Sequence, residues 1–521
     1  MLKDEGSRVK RARAKKTGTA PSRKPVKAGT KTAKRAPRGA PEPGRTLVIV
    51  ESPSKARTLG KILGKGYDIQ SSVGHIRDLP KSRLAIDVDN GFEPEYILVR
   101  GKGAVVRNLK ERASVSGRVL IASDPDREGE AIAWHLSETL GVDPGSPCRV
   151  RMYEITPKGV KEAFEQVSTV DMKKVEAQQA RRVLDRLVGY KLSPLLWDKI
   201  KRGLSAGRVQ SAALKMICDR QGLIDSFVPR EYWQVTVAAA AEGGREYSLR
   251  VDRLDGKSLV KDGRTLLIKD ESSAAVIEEE VRSNEVRVVS FTQKEGTRKS
   301  LPPFKTSTLQ QEASRRLSFA PRRTMFTAQG LYEGVPIPGR GTTGLITYMR
   351  TDSLRVSAEA AGQAREYIKT AFGKGYLPPS AQVHEGKGRS QDAHEAIRPT
   401  DVTLTPDLVR EHLTPDQYRL YDLVWRRFVA SQMNPARIAR STVEAESGRV
   451  GMRQSGACVV FDGWGALCPL DMKDEVIEPA REGELLEVKG ITREQRFTKP
   501  PSRFTDAGLI KALEEEGIGR P

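Results

Sequence analysis

The 521-residue sequence contains 89 Lys and Arg against 67 Asp and Glu, which gives a formal net charge of +22. A basic balance of this size predicts a polyanionic partner or an acidic membrane surface. No segment approaches the ~18 consecutive apolar residues of a transmembrane helix, and the charged N-terminus lacks the apolar core of a secretory signal. The sequence therefore excludes an integral membrane protein and predicts a cytoplasmic protein of about three to five domains.

The cysteines are scattered, and none lies in CxxC spacing. Such a set forms neither a disulfide framework nor a zinc ribbon, so we expect no zinc in this chain. The four side chains are instead predicted to be small buried apolar groups: Cys148, Cys218, Cys458 and Cys468.

Residues 1–45 differ in composition from the rest of the chain, with 15 Lys and Arg against 3 Asp and Glu and no aromatic residue. Such a segment cannot bury enough apolar surface to offset its ordering entropy, so we predict a disordered basic arm. A non-specific DNA tether acting through counterion release is the favoured role. A solvated tail with no task is the alternative.

Beyond the arm, short apolar runs at residues 47–50 and 119–122 are each followed by a helical pattern, at 55–63 and 131–140. Another short strand is predicted near 67–71. This alternation of strand and helix predicts a parallel α/β sheet.

The later segments change character several times along the chain. A helical region spans 171–225, with an apolar stripe formed by Val175, Val183, Leu184, Leu187 and Val188. The fold class is therefore multidomain α/β plus α and β. The predicted divisions are 1–45, the arm; 46–160, α/β; 161–225, helical; 226–301 and 435–497, two parts of one β-rich domain; 302–434, mostly helical; and 498–521, the start of a returning helical domain.

Acidic residues follow both apolar runs of the predicted sheet. Glu51 comes directly after the first, and Asp124, Asp126 and Glu128 come directly after the second. Because functional groups gather at the carboxyl ends of parallel strands, the two clusters are expected to converge. Carboxylates without softer ligands suit Mg²⁺, which anchors a phosphate and offsets its charge. A solvated acidic loop is the alternative.

A second constellation lies in Gly344-Leu-Ile-Thr-Tyr348-Met-Arg350-Thr-Asp352-Ser. In an extended segment, Tyr348 and Arg350 share one face. A neighbouring guanidinium favours the phenolate and also grips phosphate, so Tyr348 is a candidate nucleophile toward a phosphodiester. The alternative is a half-buried strand tyrosine beside a surface arginine.

The helical region offers a basic surface for DNA. Arg182 and Arg186 lie one turn apart, opposite the apolar stripe, as in helices that bind nucleic acid. A solvated face in which Asp185 pairs with Arg181 is the alternative. Tyr190 is a candidate for stacking on a base. A Gly/Ser turn that leads into a helix, a common phosphate site, adds Ser205, Arg208 and Gln210.

Several of these motifs resemble one family, the bacterial type IA DNA topoisomerases. Leu47-Val-Ile-Val-Glu51-Ser-Pro-Ser-Lys55 and Asp124-Pro-Asp126-Arg-Glu128-Gly-Glu-Ala-Ile-Ala-Trp resemble the two halves of a Toprim domain. The same likeness extends to Gly74-His75-Ile-Arg-Asp-Leu-Pro, Thr347-Tyr348-Met-Arg-Thr-Asp352-Ser and His394-Glu395-Ala-Ile-Arg398-Pro-Thr. Met349 favours the topoisomerase I subfamily, since topoisomerase III usually has Pro at this place.

The resemblance implies a toroidal core and ATP-independent relaxation of negatively supercoiled DNA. One strand is cut through a 5′-phosphotyrosine on Tyr348, another strand passes, and the break is resealed. Catalytic groups would be Tyr348, Glu51, Lys55 against the scissile phosphate, and Arg350. Metal ligands would be Glu51 and the acidic triad. DNA contacts would come from His75, Arg181, Arg182, Asp185, Arg186, Tyr190, Ser205, Arg208, Gln210, Asp352 and His394, with Glu395 and Arg398 as further candidates.

The sequence ends at Gly517-Ile-Gly-Arg-Pro521, within a motif that continues in the family. A C-terminal truncation is therefore expected, and the alternative function is a form that binds and cleaves single-stranded DNA without full relaxation. A monomer is expected.

Three alternative functions are disfavoured. A primase has no use for Tyr348, a reverse gyrase needs a Walker A loop that is absent from the sequence, and a non-catalytic DNA-binding protein leaves the acids unexplained.

Overall fold

The computed structural model describes residues 44–260, 268–384 and 394–519. The predicted disordered arm, residues 1–45, therefore lies almost entirely outside the described residues. Within those three ranges, no helix is both long and apolar enough to cross a membrane.

The first part of the chain alternates strands and helices. Its elements are β1 (Thr46–Val50), α1 (Pro53–Leu63), β2 (Tyr67–Ser71), β3 (Arg77–Asp78), β4 (Ile86–Asp87), β5 (Glu93–Pro94), β6 (Ile97–Leu98), α2 (Gly103–Ala113), β7 (Arg118–Ile121), α3 (Arg127–Leu140) and α4 (Pro157–Glu165).

A parallel sheet of order β2-β1-β7 organises this part. Strand β1 is central, and its apolar side chains from Leu47 to Val50 are fully buried, as expected for a strand covered on both faces. The carboxyl ends of β1 and β7 are neighbours, because Ile49 pairs with Ile121. Helix α1 begins at Pro53, two residues after Glu51, and the Ser52 side chain caps it. The predicted parallel α/β fold is confirmed, and its strand ends carry the acidic residues.

Two long helices follow, α5 (Met172–Lys199) and α6 (Arg208–Asp225). The predicted apolar stripe of α5 is confirmed only in part. Val175 is buried, and Val183, Leu187 and Val188 are half-buried. Leu184 is 46% exposed, whereas the charged Arg186 is only 7% exposed. The reason is that α5 packs on loops rich in backbone carbonyls, which accept hydrogen bonds from a guanidinium.

The remaining elements alternate between a β-rich part and a helical part. They are β8 (Glu231–Ala241), β9 (Glu246–Leu254), β10 (Lys257–Ser258), α7 (Glu271–Ser283), β11 (Val286–Arg298), α8 (Thr306–Leu317), α9 (Pro321–Glu333), β12 (Val335–Ile337), β13 (Gly341–Thr343), α10 (Ala358–Ala371), α11 (Pro406–Val409), α12 (Pro415–Ser431), β14 (Ala436–Ser447), β15 (Val450–Phe461), β16 (Leu485–Phe497) and α13 (Asp506–Glu515).

The two β-rich segments form one antiparallel sheet of order β10-β9-β15-β14-β11-β16-β8, in which β9 also pairs with β8. Strand β11 lies beside β14, so the chain leaves this sheet and re-enters it at neighbouring strands. The intervening residues 299–435 carry Tyr348.

The Tyr348 segment is attached to the first sheet by backbone and by apolar contacts. The amide of Tyr348 donates to the carbonyl of Tyr153 at 2.9 Å, and the amide of Gly344 donates to that of Ile155 at 2.8 Å. A single hydrophobic cluster includes Val48 and Val50 of β1 together with Tyr348. The two parts of the chain therefore share one core.

Substitution of Gly344 tests the attachment of the Tyr348 segment to the first sheet. A Cβ at this position would lie 2.5 Å from the carbonyl oxygen of Tyr332 and 3.3 Å from that of Ile155, and backbone atoms cannot easily move aside. We expect Gly344→Ala to destabilise the protein by about 1–3 kcal/mol, as overpacking does. The matched control is Gly362→Ala in α10, where a Cβ meets nothing within 4 Å and helix propensity improves by about 0.5–1 kcal/mol. Thermal midpoints measured by circular dichroism should shift in opposite directions, and equal shifts would contradict the shared core.

Candidate active site

The structure brings the tyrosine and the acids together. Tyr348 Oη donates a hydrogen bond to Asp126 Oδ2 at 2.8 Å, although 222 positions separate the two residues. The ring itself is buried, and it packs edge-on against Tyr332 with ring centroids 5.2 Å apart. Arg350 lies on the same side, with Nη1 3.6 Å from Asp126 Oδ2. A buried phenol therefore presents its hydroxyl to a carboxylate beside a guanidinium.

The strand-end acids converge around a lysine. Lys55 Nζ contacts both Glu51 Oε1 and Asp124 Oδ1, and Glu51 Oε2 accepts from the backbone amide of Asp124 at 2.7 Å. Burial alone would lower the pKa of Lys55, but the two carboxylates outweigh it and hold that pKa well above its ordinary value. Lys55 is completely buried beneath the acids. Its contact with the scissile phosphate stays a prediction, and its observed partners are Glu51 and Asp124.

The same acids keep Tyr348 protonated. Burial, followed by the negative charges of Asp124 and Asp126, raises the pKa of Tyr348 well above its ordinary value, and Arg350 opposes this shift without overcoming it. Arg350 lowers the pKa of Tyr348, as expected, but the other effects are larger and the pKa remains raised. In this conformation the phenol is a hydrogen-bond donor, and its proton is directed at Asp126.

The four predicted metal ligands do not form one cage. Asp126 also accepts from the amide of Gly129 at the start of α3, and Glu128 accepts from Gln178 Nε2 at 3.1 Å. Over the described ranges, no three His, Cys, Asp or Glu side chains are placed to hold a metal ion together. The Lys55 ammonium lies between Glu51 and Asp124, in the place that a cation shared by these two acids would occupy. The all-carboxylate donor set still suits Mg²⁺, which usually takes one or two carboxylates together with water and phosphate.

A cavity of about 650 Å³ opens in front of these groups. Four residues predicted as DNA contacts lie in its wall beside the acids: His75, Arg181, Asp352 and His394. The His394 ring is 4% exposed, both of its nitrogens lack a hydrogen-bond partner in the described part of the chain, and burial lowers its pKa. A neutral imidazole is therefore available to a ligand in this cavity.

Arg127 also lines the cavity, and the sequence analysis did not select it. Among the described residues, no carboxylate lies within ion-pair distance of its guanidinium. Burial first, and then the positive charge of Arg181, lowers the pKa of Arg127. Arg127 and Arg181 therefore lie close enough to repel each other, and both line the cavity.

The other predicted DNA residues on α5 and α6 are mostly engaged within the protein. Arg182 holds Asp78 through hydrogen bonds of 2.8–3.0 Å, and Asp185 lies 3.1 Å from Arg208 and 3.8 Å from Arg181. The alternative of local pairing by Asp185 is therefore observed.

The turn before α6 is closed by local hydrogen bonds. Gln210 Nε2 donates to the backbone and side-chain oxygens of Ser205 at 2.7 and 3.2 Å.

Arg398 is also unavailable to a ligand, because it is buried and its guanidinium contacts Glu395 and Glu154.

Arg186 differs most clearly from its predicted role. It is buried, and it donates to the carbonyl oxygens of Leu79, Pro80 and Arg83. Tyr190 lies against it, with its ring centroid 4.7 Å from the guanidinium carbon. Arg186 therefore anchors the loop after β3 and does not face solvent.

Two substitutions distinguish a residue that anchors the loop after β3 from one that contacts DNA: Arg186→Met and Arg181→Met. We expect Arg186→Met to lower the thermal midpoint, because unsatisfied buried carbonyls cost about 1–3 kcal/mol. Arg181→Met should leave the midpoint unchanged and weaken binding of a single-stranded oligonucleotide. Its plot of log affinity against log salt should become shallower by about 0.7. Fluorescence anisotropy over a salt series measures this, and the reverse assignment of effects would contradict the geometry.

Comparison with known proteins agrees with the motifs. A family model described as DNA topoisomerase matches residues 169–521, and a model described as Toprim domain matches residues 46–155. The solved structure of full-length topoisomerase I from Thermotoga maritima is similar to this chain, at 40% sequence identity and a TM-score of 0.79. The similarity covers 91% of this chain and 76% of that one. The chain therefore belongs to the bacterial type IA DNA topoisomerases.

Proposed function

We propose that Tyr348 is the nucleophile through which this DNA topoisomerase cuts one strand. The observation that carries the proposal is the 2.8 Å hydrogen bond from Tyr348 Oη to Asp126 at the wall of the acid-lined cavity. An isolated buried tyrosine is common, but one whose hydroxyl meets a carboxylate at the end of a Toprim strand is placed for nucleophilic attack.

In the proposed reaction, Tyr348 Oη forms a bond to a DNA phosphorus and the bond from that phosphorus to the 3′ oxygen breaks. The phenolic proton passes to Asp126, which already accepts its hydrogen bond. The leaving 3′ oxygen takes up a proton that comes from solvent, and Glu51 is the candidate to pass it on. The energy of the phosphodiester is kept in the phosphotyrosine, so resealing needs no ATP.

Arg350 has a distinct proposed task. Its guanidinium lies 3.6 Å from Asp126 and lines the same cavity, so it can contact a phosphate that enters beside Tyr348. Such a guanidinium would stabilise the charge that develops on the phosphate oxygens during attack. It also favours removal of the phenolic proton, although burial opposes that effect in the absence of DNA.

We propose that the DNA backbone enters along the cationic side of the cavity. The residues on this side are Arg127, Arg181 and His394, and none of them forms an ion pair with the four predicted metal ligands. A phosphate bound there would relieve the repulsion between the two guanidiniums. The outer residues Arg182, Asp185, Ser205, Arg208 and Gln210 flank this path. Arg186 supports its edge from within the protein, and the exposed Tyr190 remains a candidate for stacking on a base.

Lys55 has a supporting task in this proposal. Its ammonium lies between Glu51 and Asp124 and does not line the cavity. It holds two like charges at adjacent strand ends, and it thereby keeps both carboxylates directed toward the phosphate.

We further propose that one or two of the predicted acids Glu51, Asp124, Asp126 and Glu128, with Asp124 as the first candidate, would hold Mg²⁺ together with DNA phosphate. When bound, the ion neutralises phosphate charge and orients the backbone. The carboxylate oxygens supply the hard ligands that the ion requires, and Asp124 contacts the Lys55 ammonium.

The nucleophile is tested with labelled single-stranded DNA and Mg²⁺, followed by denaturation and electrophoresis. We expect a covalent protein–DNA adduct with the unaltered chain and none with Tyr348→Phe. Tyr367→Phe, a change of the same type on α10, is the control and should leave the adduct intact. An adduct that survives Tyr348→Phe would falsify the assignment.

The metal proposal is tested by binding, independently of activity. Mn²⁺ serves as the spectroscopic probe, and its free signal is measured by electron paramagnetic resonance with an oligonucleotide present. We expect Asp124→Asn to weaken Mn²⁺ binding at least tenfold, because it removes a charged oxygen ligand. Asp185→Asn, which alters an acid outside the cavity, should change it less than twofold. Equal affinities for the two variants would remove Asp124 from the ligand set.

A further inference from the structure

Glu130, the last acid of Asp124-Pro-Asp126-Arg-Glu128-Gly-Glu130, faces away from the cavity. Its side chain is completely buried in α3, whereas Asp126 and Glu128 line the cavity wall. Glu130 Oε1 accepts from Arg151 Nε at 2.6 Å, and Glu130 Oε2 lies 3.2 Å from Arg149 Nε, an ion pair without an aligned hydrogen bond. One buried carboxylate therefore pairs with two guanidiniums behind the active site.

Arg149 connects this carboxylate to the acidic loop. It is completely buried, and it donates to the carbonyl oxygens of Ser123 at 2.9 Å and Asp124 at 2.6 Å. It also donates to the carbonyl of Ile121 at 3.3 Å, at the end of β7. The guanidinium therefore fixes the backbone that leads from the strand into the proposed catalytic acids.

Arg151 connects the same carboxylate to the segment that precedes α5. It donates to Ser168 Oγ at 2.8 Å and to the carbonyl of Thr169 at 3.2 Å. Two residues after Arg151, the carbonyl of Tyr153 accepts the hydrogen bond from the amide of Tyr348. The segment that carries both arginines thus touches the acidic loop, the tyrosine and the approach to the DNA-binding helices.

We propose that Glu130 is a positioning residue for strand cleavage, which acts through Arg149 to hold Asp124 and Asp126 opposite Tyr348. The proposal rests on the proposed function of these three residues. A buried guanidinium needs a compensating charge, and without Glu130 two of them would lie uncompensated in the same place. Arg149 would then move toward water and release the carbonyls of Ser123 and Asp124.

The competing explanation is that Glu130 only stabilises the fold. A second ion pair in the same sheet provides the matched control, since Arg112 Nη1 lies 2.5 Å from Asp68 Oδ2 and both side chains are at least 85% buried. Arg112 belongs to α2 and Asp68 to β2, and neither lines the cavity. Asp68→Asn therefore breaks a comparable ion pair without disturbing the acidic loop.

The test compares Glu130→Gln with Asp68→Asn at saturating labelled single-stranded DNA. We expect both variants to lower the thermal midpoint and to bind the oligonucleotide within twofold of the unaltered chain. Glu130→Gln should reduce the covalent adduct at least tenfold, whereas Asp68→Asn should change it less than twofold. Hydrogen exchange gives a second readout, in which Glu130→Gln alone should accelerate exchange at the amides of Asp124 and Tyr348.

If Glu130→Gln does not fold, Arg149→Lys is used instead. This variant keeps a cation opposite Glu130, but a single ammonium cannot reproduce the two guanidinium nitrogens that donate to the carbonyls of Ser123 and Asp124. A folded Arg149→Lys protein with undiminished adduct would overturn the proposal, as would equal adduct losses in Glu130→Gln and Asp68→Asn. Absence of an adduct from the unaltered chain is a different result, because it contradicts the proposed function itself.

Discussion

The buried ammonium of Lys55 is the interaction on which the acidic edge of the first sheet depends. Parallel strands β1 and β7 end side by side, and each delivers a carboxylate to the same place. Two such charges in a poorly solvated site repel each other strongly, so one would take up a proton unless a cation lay between them. Helix α1 supplies that cation one turn after Glu51. The ammonium thus holds the two strand ends together and opposes the effect of burial, which nevertheless raises the pKa of Asp124 to about 7.

Oppositely charged groups lie side by side in the cavity. Burial, followed by the charges of Asp124 and Asp126, raises the pKa of Tyr348, and Arg350 lies 3.6 Å from Asp126. Arg127 and Arg181 line the same cavity. A DNA phosphate would be drawn to the arginines, and its entry would place the reacting phosphorus beside the hydroxyl. The proposed proton acceptor and the proposed phosphate-binding groups are therefore neighbours.

Local sequence patterns were sufficient to predict the parallel strands and the acidic residues that follow them. The apolar runs before Glu51 and Asp124 predicted two parallel strands, and their order placed the acids at one edge. The meeting of Tyr348 with those acids required the family resemblance, because no periodicity relates residues so far apart in the chain. The domain divisions stay predictions, although the segments on either side of residues 299–435 do form one sheet.

The failures share a physical cause. Helical spacing showed that Arg186 lies on one face of α5, but not that the carbonyls of a loop more than 100 positions earlier would cover it. The same spacing could not show that Leu184 would be left exposed. Lys55 was assigned to phosphate from the family resemblance, which gave no sign that it also contacts Glu51 and Asp124. Glu130 and Arg127 were overlooked because a run of charges gives no sign of which side chains face inward.

The apolar cluster that joins β1 to the tyrosine-bearing part has a consequence for the catalytic cycle. Passage of a second strand requires the two sides of the cut to separate, and the side chains they share would then meet water. Hydration of that surface is unfavourable, so the separated state lies uphill and reverts without any external energy source. The hydrophobic effect would thus act as a restoring force that limits how long a chromosome stays broken.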